Sequence, residues 1–325
     1  MRRIGVDVGG TFTDVVLEVD GDLRVAKVPS TRPDQSDGVL SGLDRLEVDA
    51  ATLDRFGHGT TVSTNAVLER AGGRTVLVTT AGFRDLLEIG RQDRPRLYDL
   101  GASRHPPLVP RELVVEATER LAADGNVLTP LDDPAGVAEE VRDRDPEAVA
   151  ICLLHSFRDD RHERAIADEL DGLPVSRSSD VLPVFREYER ASTTVLNAYV
   201  APRISGYLRR LDARLSERGL ACGVDVMRSG GGTFAAGLAA RYPVHTLLSG
   251  PAAGAWGAAA VARAAGHPEV ISFDMGGTST DVALIEDGRP ATTAEGEIDG
   301  LPFAVRTTDI HTVGAGGGSV AWRDA

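Results

Sequence analysis

Short apolar runs alternate with amphipathic stretches along the chain, and glycine-rich turns punctuate them. Residues 4–8 are apolar at Ile4, Val6 and Val8 and then meet Gly9-Gly10, the pattern of a strand ending in a tight turn. From Asp14 onward apolar positions alternate on both sides of Asp20-Gly21, which predicts a hairpin. Helical periodicity follows over residues 36–46 and from Val62 to Arg70. Residues 74–80 predict a strand, and Leu86, Leu87 and Ile89 share one face of a short helix. Residues 91–113 have no period and several prolines, so they read as a long surface loop. A hairpin is predicted at Asp124-Gly125, a helix with Pro134 in its first turn, a buried strand from Ala148, and an exposed helix ending at Gly172. Two helices are expected next, one running up to Pro202 and another from Arg203 to Gly219. A strand into Gly230, a small-residue helix after Pro251 and a second strand–turn–hairpin from Val270 complete a mixed α/β pattern.

That last hairpin nearly repeats the first. Residues 4–21 (IGVDVGGTFTDVVLEVDG) and 271–288 (ISFDMGGTSTDVALIEDG) are identical at eleven positions. Two copies so far apart exclude a short-period array and suggest a duplicated unit. In each, an aspartate ends a buried strand, two glycines reverse the chain with bare N–H groups, and threonines add hydroxyls. Asp7, Gly9, Gly10, Thr11 and Thr13 in one copy match Asp274, Gly276, Gly277, Thr278 and Thr280 in the other. Opposed across a cleft, such turns would hold phosphates, with the two carboxylates serving Mg²⁺ directly or through water. A plain glycine-turn hairpin is the alternative for either copy alone. Asp14 and Asp281 follow the turns and read equally well as caps of turn amides.

Composition narrows the partners. The chain has 325 residues and a net charge of −14, unsuited to nucleic acid or an anionic membrane surface. No apolar run approaches the length of a membrane span, and no signal peptide is read at Met1, so a cytoplasmic protein of roughly two domains is the expectation. Cys152 and Cys222 form no metal or disulfide pattern, and Cys152 reads as an inert core thiol. The domain boundary is expected near residues 180–190, giving units 1–185 and 186–325.

Other catalytic signatures are missing. There is no G-x-x-x-x-G-K-[ST] and no G-x-S-x-G. The glycines from Gly314 to Gly318 offer N–H groups to an anion or form a flexible linker. Asp309 and His311 are weak metal candidates that turn polarity explains as well, and His155 reads as a core histidine. His58, flanked by small donors ahead of a helix, is a candidate to touch substrate.

The paired DVGGTFTD and DMGGTSTD motifs resemble the phosphate signatures of the actin, sugar-kinase and heat-shock-chaperone ATPase superfamily. Together with HGTTVSTNAVLER, TTAGFRDLLEIGRQDRPRLYDL, FREYERASTTVLNAYVAP, LLSGPAAGAWGA and DIHTVGAGGGSVAW, they make the chain similar to the A subunit of the hydantoinase/oxoprolinase family. The resemblance implies two ribonuclease-H-like (actin-like ATPase) lobes with mixed sheets and ATP·Mg²⁺ between them. It implies ATP-dependent phosphorylation of the oxygen of a cyclic amide (5-oxoproline, hydantoin or N-methylhydantoin), or of a ketone in the carboxylase branch, completed with a B-type partner subunit in an oligomer. Asp7, Asp274 and Thr11 would carry the catalytic role, with Asp7 and Asp274 on magnesium. Gly9, Gly10, Thr11, Thr13, Gly276, Gly277, Thr278, Thr280, Gly314, Gly316, Gly317 and Gly318 would surround the nucleotide. His58, Thr60, Thr61, Arg91 and Gln92 would face the substrate. Members of the family run longer than this chain, so the second lobe is expected to be incomplete. A kinase releasing a phosphorylated small molecule, or an inactive nucleotide-binding relative, are the rival readings.

Overall fold

β1 (Arg2–Val8), β2 (Phe12–Val19) and β3 (Asp22–Pro29) form the antiparallel meander that the alternation predicts. The computed structural model describes residues 1–31, 34–93, 96–99, 101–102, 104–277, 279–320 and 322. Helix α1 (Ser36–Arg45) lays Val39, Leu40 and Leu43 on one face of the meander, and β4 (Arg55–Thr60) joins the other edge of β1 in parallel. Helix α2 (Val62–Leu68) then leads out of this sheet into β5 (Thr75–Thr80), the centre of a second one.

Around β5 are built α3 (Leu86–Ile89), β6 (Val114–Ala117), the small hairpin β7 (Arg120–Leu121) and β8 (Val127–Thr129), α4 (Pro134–Arg142), β9 (Ala148–Cys152), α5 (Arg161–Asp168) and β10 (Val175–Arg177). Asp133 caps α4 by accepting the Gly136 N–H, with Pro134 just inside, as its sequence predicts. The sheet order β10-β9-β5-β6 is wholly parallel. Every residue of β5 and β9 is buried, as the uninterrupted apolar runs require of a sheet covered on both faces.

After α6 (Ser178–Val181) comes α7 (Glu187–Glu217), one continuous helix of 31 residues where the sequence predicts two. Pro202 lies inside it and removes one helical N–H. Beside it the Gly73 N–H donates to the Tyr199 carbonyl at 2.8 Å, and the Pro202 ring packs on Gly73. Ala191, Val195 and Ala198 of α7 pack in the second core, while Ile204, Tyr207, Leu208, Leu211 and Leu215 pack in the first. A Cβ at Gly72 would stand 2.2 Å from the Tyr199 ring. Gly72→Ala is therefore expected to cost about 1–3 kcal/mol, read as a lowered urea midpoint.

The chain then returns to the first sheet. β11 (Asp225–Met227) pairs in parallel with β4, and β12 (Thr233–Ala235) pairs antiparallel with β11. The order β12-β11-β4-β1-β2-β3 contains three antiparallel strands followed by two parallel ones, the ribonuclease-H-like arrangement. Residues 225–235, which follow the boundary read near 180–190, thus complete the sheet begun by residues 2–60.

Helices α8 (Ala236–Arg241) and α9 (Ser249–Ala264) lead to the second repeat: β13 (Val270–Met275), β14 (Thr280–Glu286) and β15 (Arg289–Pro290). Here the third strand is split. β16 (Thr292–Thr293), the hairpin β17 (Gly296–Ile298) and β18 (Leu301–Phe303), and β19 (Thr307–Thr308) intervene before β20 (His311–Val313) returns to pair with β14. Among the described residues no strand adds to the far edge of β13, where the first repeat has β4. The mixed α/β, two-lobed architecture expected from sequence is present, with the second lobe represented by this antiparallel part and α9. Among the described residues no helix is long and apolar enough to cross a membrane.

Candidate functional site

Both glycine turns are built alike. In the first, Val8 pairs with Thr13 and Asp7 with Asp14, and the Gly9 N–H closes the turn on the Phe12 carbonyl at 3.0 Å. In the second, Met275 pairs with Thr280 and Asp274 with Asp281, and the Gly276 N–H closes on the Ser279 carbonyl at 2.9 Å. The sequence repeat is therefore a structural repeat.

Helix α9 brings the copies together. At its start the Ser249 hydroxyl donates to the Thr60 carbonyl at 3.1 Å, and a Cβ on Gly250 would touch Thr61 at 3.5 Å. One turn later a Cβ on Gly254 would lie 3.8 Å from Asp274 Oδ2. Thr61 in turn donates its hydroxyl to the Val8 carbonyl at 3.1 Å, beside the first turn. The absence of side chains at 250 and 254 lets one helix face seat against both sites. A cavity of about 200 Å³ lies between α9 and the second hairpin, with Pro251, Gly254, Asp274 and Asp281 on its wall.

Asp7 is exposed at its strand end, with its carboxylate lying over Gly59. Partial desolvation, and then the charges of Asp14 and Asp274, push its pKa above the ordinary carboxylate value, while Lys27 opposes them. Asp274 is the smallest of these contributions, and what ties the two turns together is α9, seated on Thr61 at Gly250 and on Asp274 at Gly254. Lys27 Nζ sits 2.6 Å from Asp14 Oδ2. Its counterpart position in the second repeat is Thr312, whose hydroxyl donates to Asp281 at 2.6 Å.

The remaining residues divide. Gly10 and Gly277 face open space, and Thr11 is exposed at its turn. The Thr13 hydroxyl is shared with Ser30 and that of Thr280 is spent on the Ala315 carbonyl, both behind the turns. Thr278 lies outside the described residues. Gly317 and Gly318 donate their N–H groups to the carbonyls of Gly276 and Gly277, and Gly316 donates to Ser319 Oγ. Gly317 and Gly318 thus brace the second turn with their N–H groups; Gly314 stands in open space.

His58 lies in the core rather than on a cavity wall. Its Nε2 meets the Tyr207 hydroxyl at 2.9 Å, and burial pushes its pKa down to about 4. Strand alternation explains this: His58 pairs with Val6, on the inward face of the sheet. Because an unfolded histidine titrates near 6.5, the unfolded chain binds the proton first. Stability is therefore expected to be full above pH 6.5 and to fall toward pH 4, an effect that half-buried His245, also near 4, reinforces. Denaturant titrations across that range test the slope, and an imidazole that protonates at pH 6.5 in the folded chain would refute it.

Thr60 is buried beside His58, with its hydroxyl accepting the Val62 N–H. Arg91 and Gln92 are elsewhere: Arg91 ion-pairs with Glu189 on the wall of a larger cavity, and Gln92 is exposed with φ +58°. The structure thus groups Thr60 and Thr61 with the glycine turns and separates His58, Arg91 and Gln92 from them. Asp309 and His311 belong to no metal-binding cluster among the described residues, and Cys152 is a buried thiol whose pKa burial raises. Sequence reasoning missed Lys27, although the hairpin register about Asp20-Gly21 places it opposite Asp14.

The profile of the hydantoinase/oxoprolinase N-terminal region matches residues 3–172, and that of the hydantoinase/oxoprolinase domain matches residues 190–325. The chain belongs to the hydantoinase/oxoprolinase family. It is 36% identical to the caprolactamase subunit alpha of Pseudomonas jessenii over 99% of its own length and 49% of that protein's. The crystal structure of the ATP-dependent caprolactamase from that organism superposes with a TM-score of 0.88 at 34% identity, over 99% of this chain and 49% of the other. A nucleotide-free acetone carboxylase superposes with a TM-score of 0.87 at 29% identity, over 97% of this chain and 48% of the other. The chain of this family member spans about half the length of the curated relatives it matches.

Proposed function

We propose that this chain holds ATP·Mg²⁺ between its two glycine turns and serves an enzyme that activates a cyclic amide by phosphorylating the amide oxygen. The seating of α9 against both turns, Gly250 beside Thr61 and Gly254 beside Asp274, is the observation that carries the reading. The residues suit the group: open space at Gly10 and Gly277, and the carboxylates of Asp7 and Asp14 with Lys27 beside them. Among the described residues no three His, Cys, Asp or Glu side chains gather closely enough to cage a metal. That suits Mg²⁺, which keeps its waters and uses one or two carboxylates with phosphate oxygens.

ATP bound there supplies the phosphoryl group that turns a poor amide oxygen into a leaving group. In this reading Asp7 and Asp274 would hold magnesium, and the glycine-turn N–H groups and Thr11 would position the phosphates. Thr60 and Thr61 shape the adjoining wall. Ring opening is completed by a B-type partner subunit, and the assembly works in the cytoplasm. The likeness to acetone carboxylase favours a second reading, in which a ketone takes the place of the amide.

Steady-state ATPase of the chain reconstituted with its partner tests the reading. Turnover is expected to rise with 5-oxoproline, hydantoin, N-methylhydantoin or caprolactam, with ADP, phosphate and an opened ring as products. Equal rates with every addition would refute amide activation; stimulation by ketone plus bicarbonate would select the carboxylase reading, and a stable phosphorylated product a kinase.

A further inference from the structure

A recess of about 1360 Å³ lies apart from the glycine turns, bounded by the first turns of α7, residues 87–108 and the β17–β18 hairpin, and neither turn lines it. Helix α2 stands between the two places. Thr61 at its start is bonded to Val8, and Arg70 beyond its end binds Asp299 and the Pro106 carbonyl at the rim of the recess. Seven residues of helix put about 10 Å between them.

The recess is larger than the roughly 300–1,000 Å³ of a small-molecule cleft, so a single metabolite would leave much of it wet. Its floor is apolar, with Val195, Leu196, Leu301 and Phe303. Its walls are acidic: among the described residues six carboxylates line it against three arginines. Each of those arginines already has an acidic partner on the wall, Arg91 in Glu189, Arg96 in Asp99 at 3.7 Å and Arg104 in Asp93 at 2.6 Å. Glu88 and Glu297, both exposed, belong to no ion pair among the described residues. An anion entering the recess would have to break an existing pair, whereas a cation meets two carboxylates with nothing to give up. At the rim Arg186 lies 5.6 Å over the Phe185 ring and pairs with Glu295 at 3.0 Å, and Phe185 itself is 66% exposed. An apolar floor, an aromatic rim and a surplus of one charge are the makings of a protein contact.

We propose that this recess seats an extended segment of the partner subunit in which basic and apolar side chains alternate. The apolar side chains cover the floor, and lysine or arginine side chains meet Glu88 and Glu297. The proposal rests on the two-subunit reading above and adds where the partner is held and by what chemistry.

Fluorescence anisotropy on the unaltered 325-residue chain tests it, with labelled nine-residue peptides that alternate leucine with lysine, leucine with glutamate, or serine with lysine. The leucine–lysine peptide is expected to bind at least about tenfold more tightly than either of the others, because only it satisfies both floor and walls. Glu88→Lys with Glu297→Lys should erase that preference. Asp212→Lys with Glu217→Lys, the same charge change at exposed positions toward the other end of α7, should leave it intact. Failure of the leucine–lysine peptide to bind, equal binding of the serine–lysine peptide, equal loss in both double variants, or full displacement by an equimolar amount of spermine would each overturn the proposal. In the reconstituted enzyme, Glu88→Lys with Glu297→Lys should raise the Kd of the partner subunit at least about tenfold. If that Kd is unchanged while ATPase still responds to amide, the docking proposal falls and the functional reading stands. If the Kd rises as expected but the unaltered pair hydrolyses ATP indifferently to every amide, the functional reading falls and the docking site stands.

Discussion

Asp274→Asn is expected to lower magnesium-dependent ATP turnover by about 100- to 1000-fold, the scale on which a preorganised electrostatic group acts at a reacting phosphate. Asp7→Asn should do the same, and the double variant should be scarcely worse than either, because the two carboxylates act as one unit. The ligand-free chain should respond in the opposite sense. Burial and the charges of Asp14 and Asp274 raise the pKa of Asp7. A group raised in this way adds stability below its unfolded pKa and loses it as pH rises through the folded value. Ligand-free chain should thus weaken as pH climbs through the carboxylate range, and Asp274→Asn should weaken less. Denaturant midpoints at pH 4 and pH 7, with and without Mg²⁺·ATP, read both effects; turnover indifferent to Asp274 and to Asp7 would show that the turns do not act together.

Truncating equivalent leucines in the two repeats should have very unequal consequences. Ile4, Val6 and Leu17 are 3%, 3% and 0% exposed, whereas their counterparts Ile271, Phe273 and Leu284 are 67%, 65% and 48% exposed. In the first repeat α1 and α7 cover this face; in the second, among the described residues, only the opposite face is packed, where α9 meets Ala283 and Ile285. Leu17→Ala should therefore cost about 2–5 kcal/mol, and Leu284→Ala within about 0.5 kcal/mol of nothing. In the 325-residue chain that face is open to association. Ile271→Thr with Phe273→Ser should reduce binding of a hydrophobic dye and self-association, measured by fluorescence and sedimentation. A large loss of stability from Leu284→Ala would mean that this face is covered in solution.

The strands and turns were legible because they depend on local chemistry. The alternation about Asp20-Gly21, the fully apolar β9 and the Asp133-Pro134 cap each announce themselves within a few residues. What escaped depends on distant partners. The continuity of α7 through Pro202 goes with its packing in both cores, and nothing near Pro202 signals it. The return of residues 225–235 to the first sheet is likewise decided by pairing with β4. At the site, the repeat pointed to both aspartates because identical short motifs must make identical turns. His58 looked chemical from its small neighbours, but the inward face of β4 decides its surroundings. Gly317 and Gly318 looked like anion binders, and only the fold shows their N–H groups taken by the second turn.

The split first sheet has a consequence for synthesis. β4 leaves the ribosome long before β11, because residues 61–224 separate them. At about 5–20 residues per second, the growing polypeptide carries that unfinished edge for on the order of ten seconds or more. Over that interval the nascent meander offers unpaired backbone to any neighbouring strand, so the yield of native protein should depend on how quickly translation and chaperones carry it past residue 235.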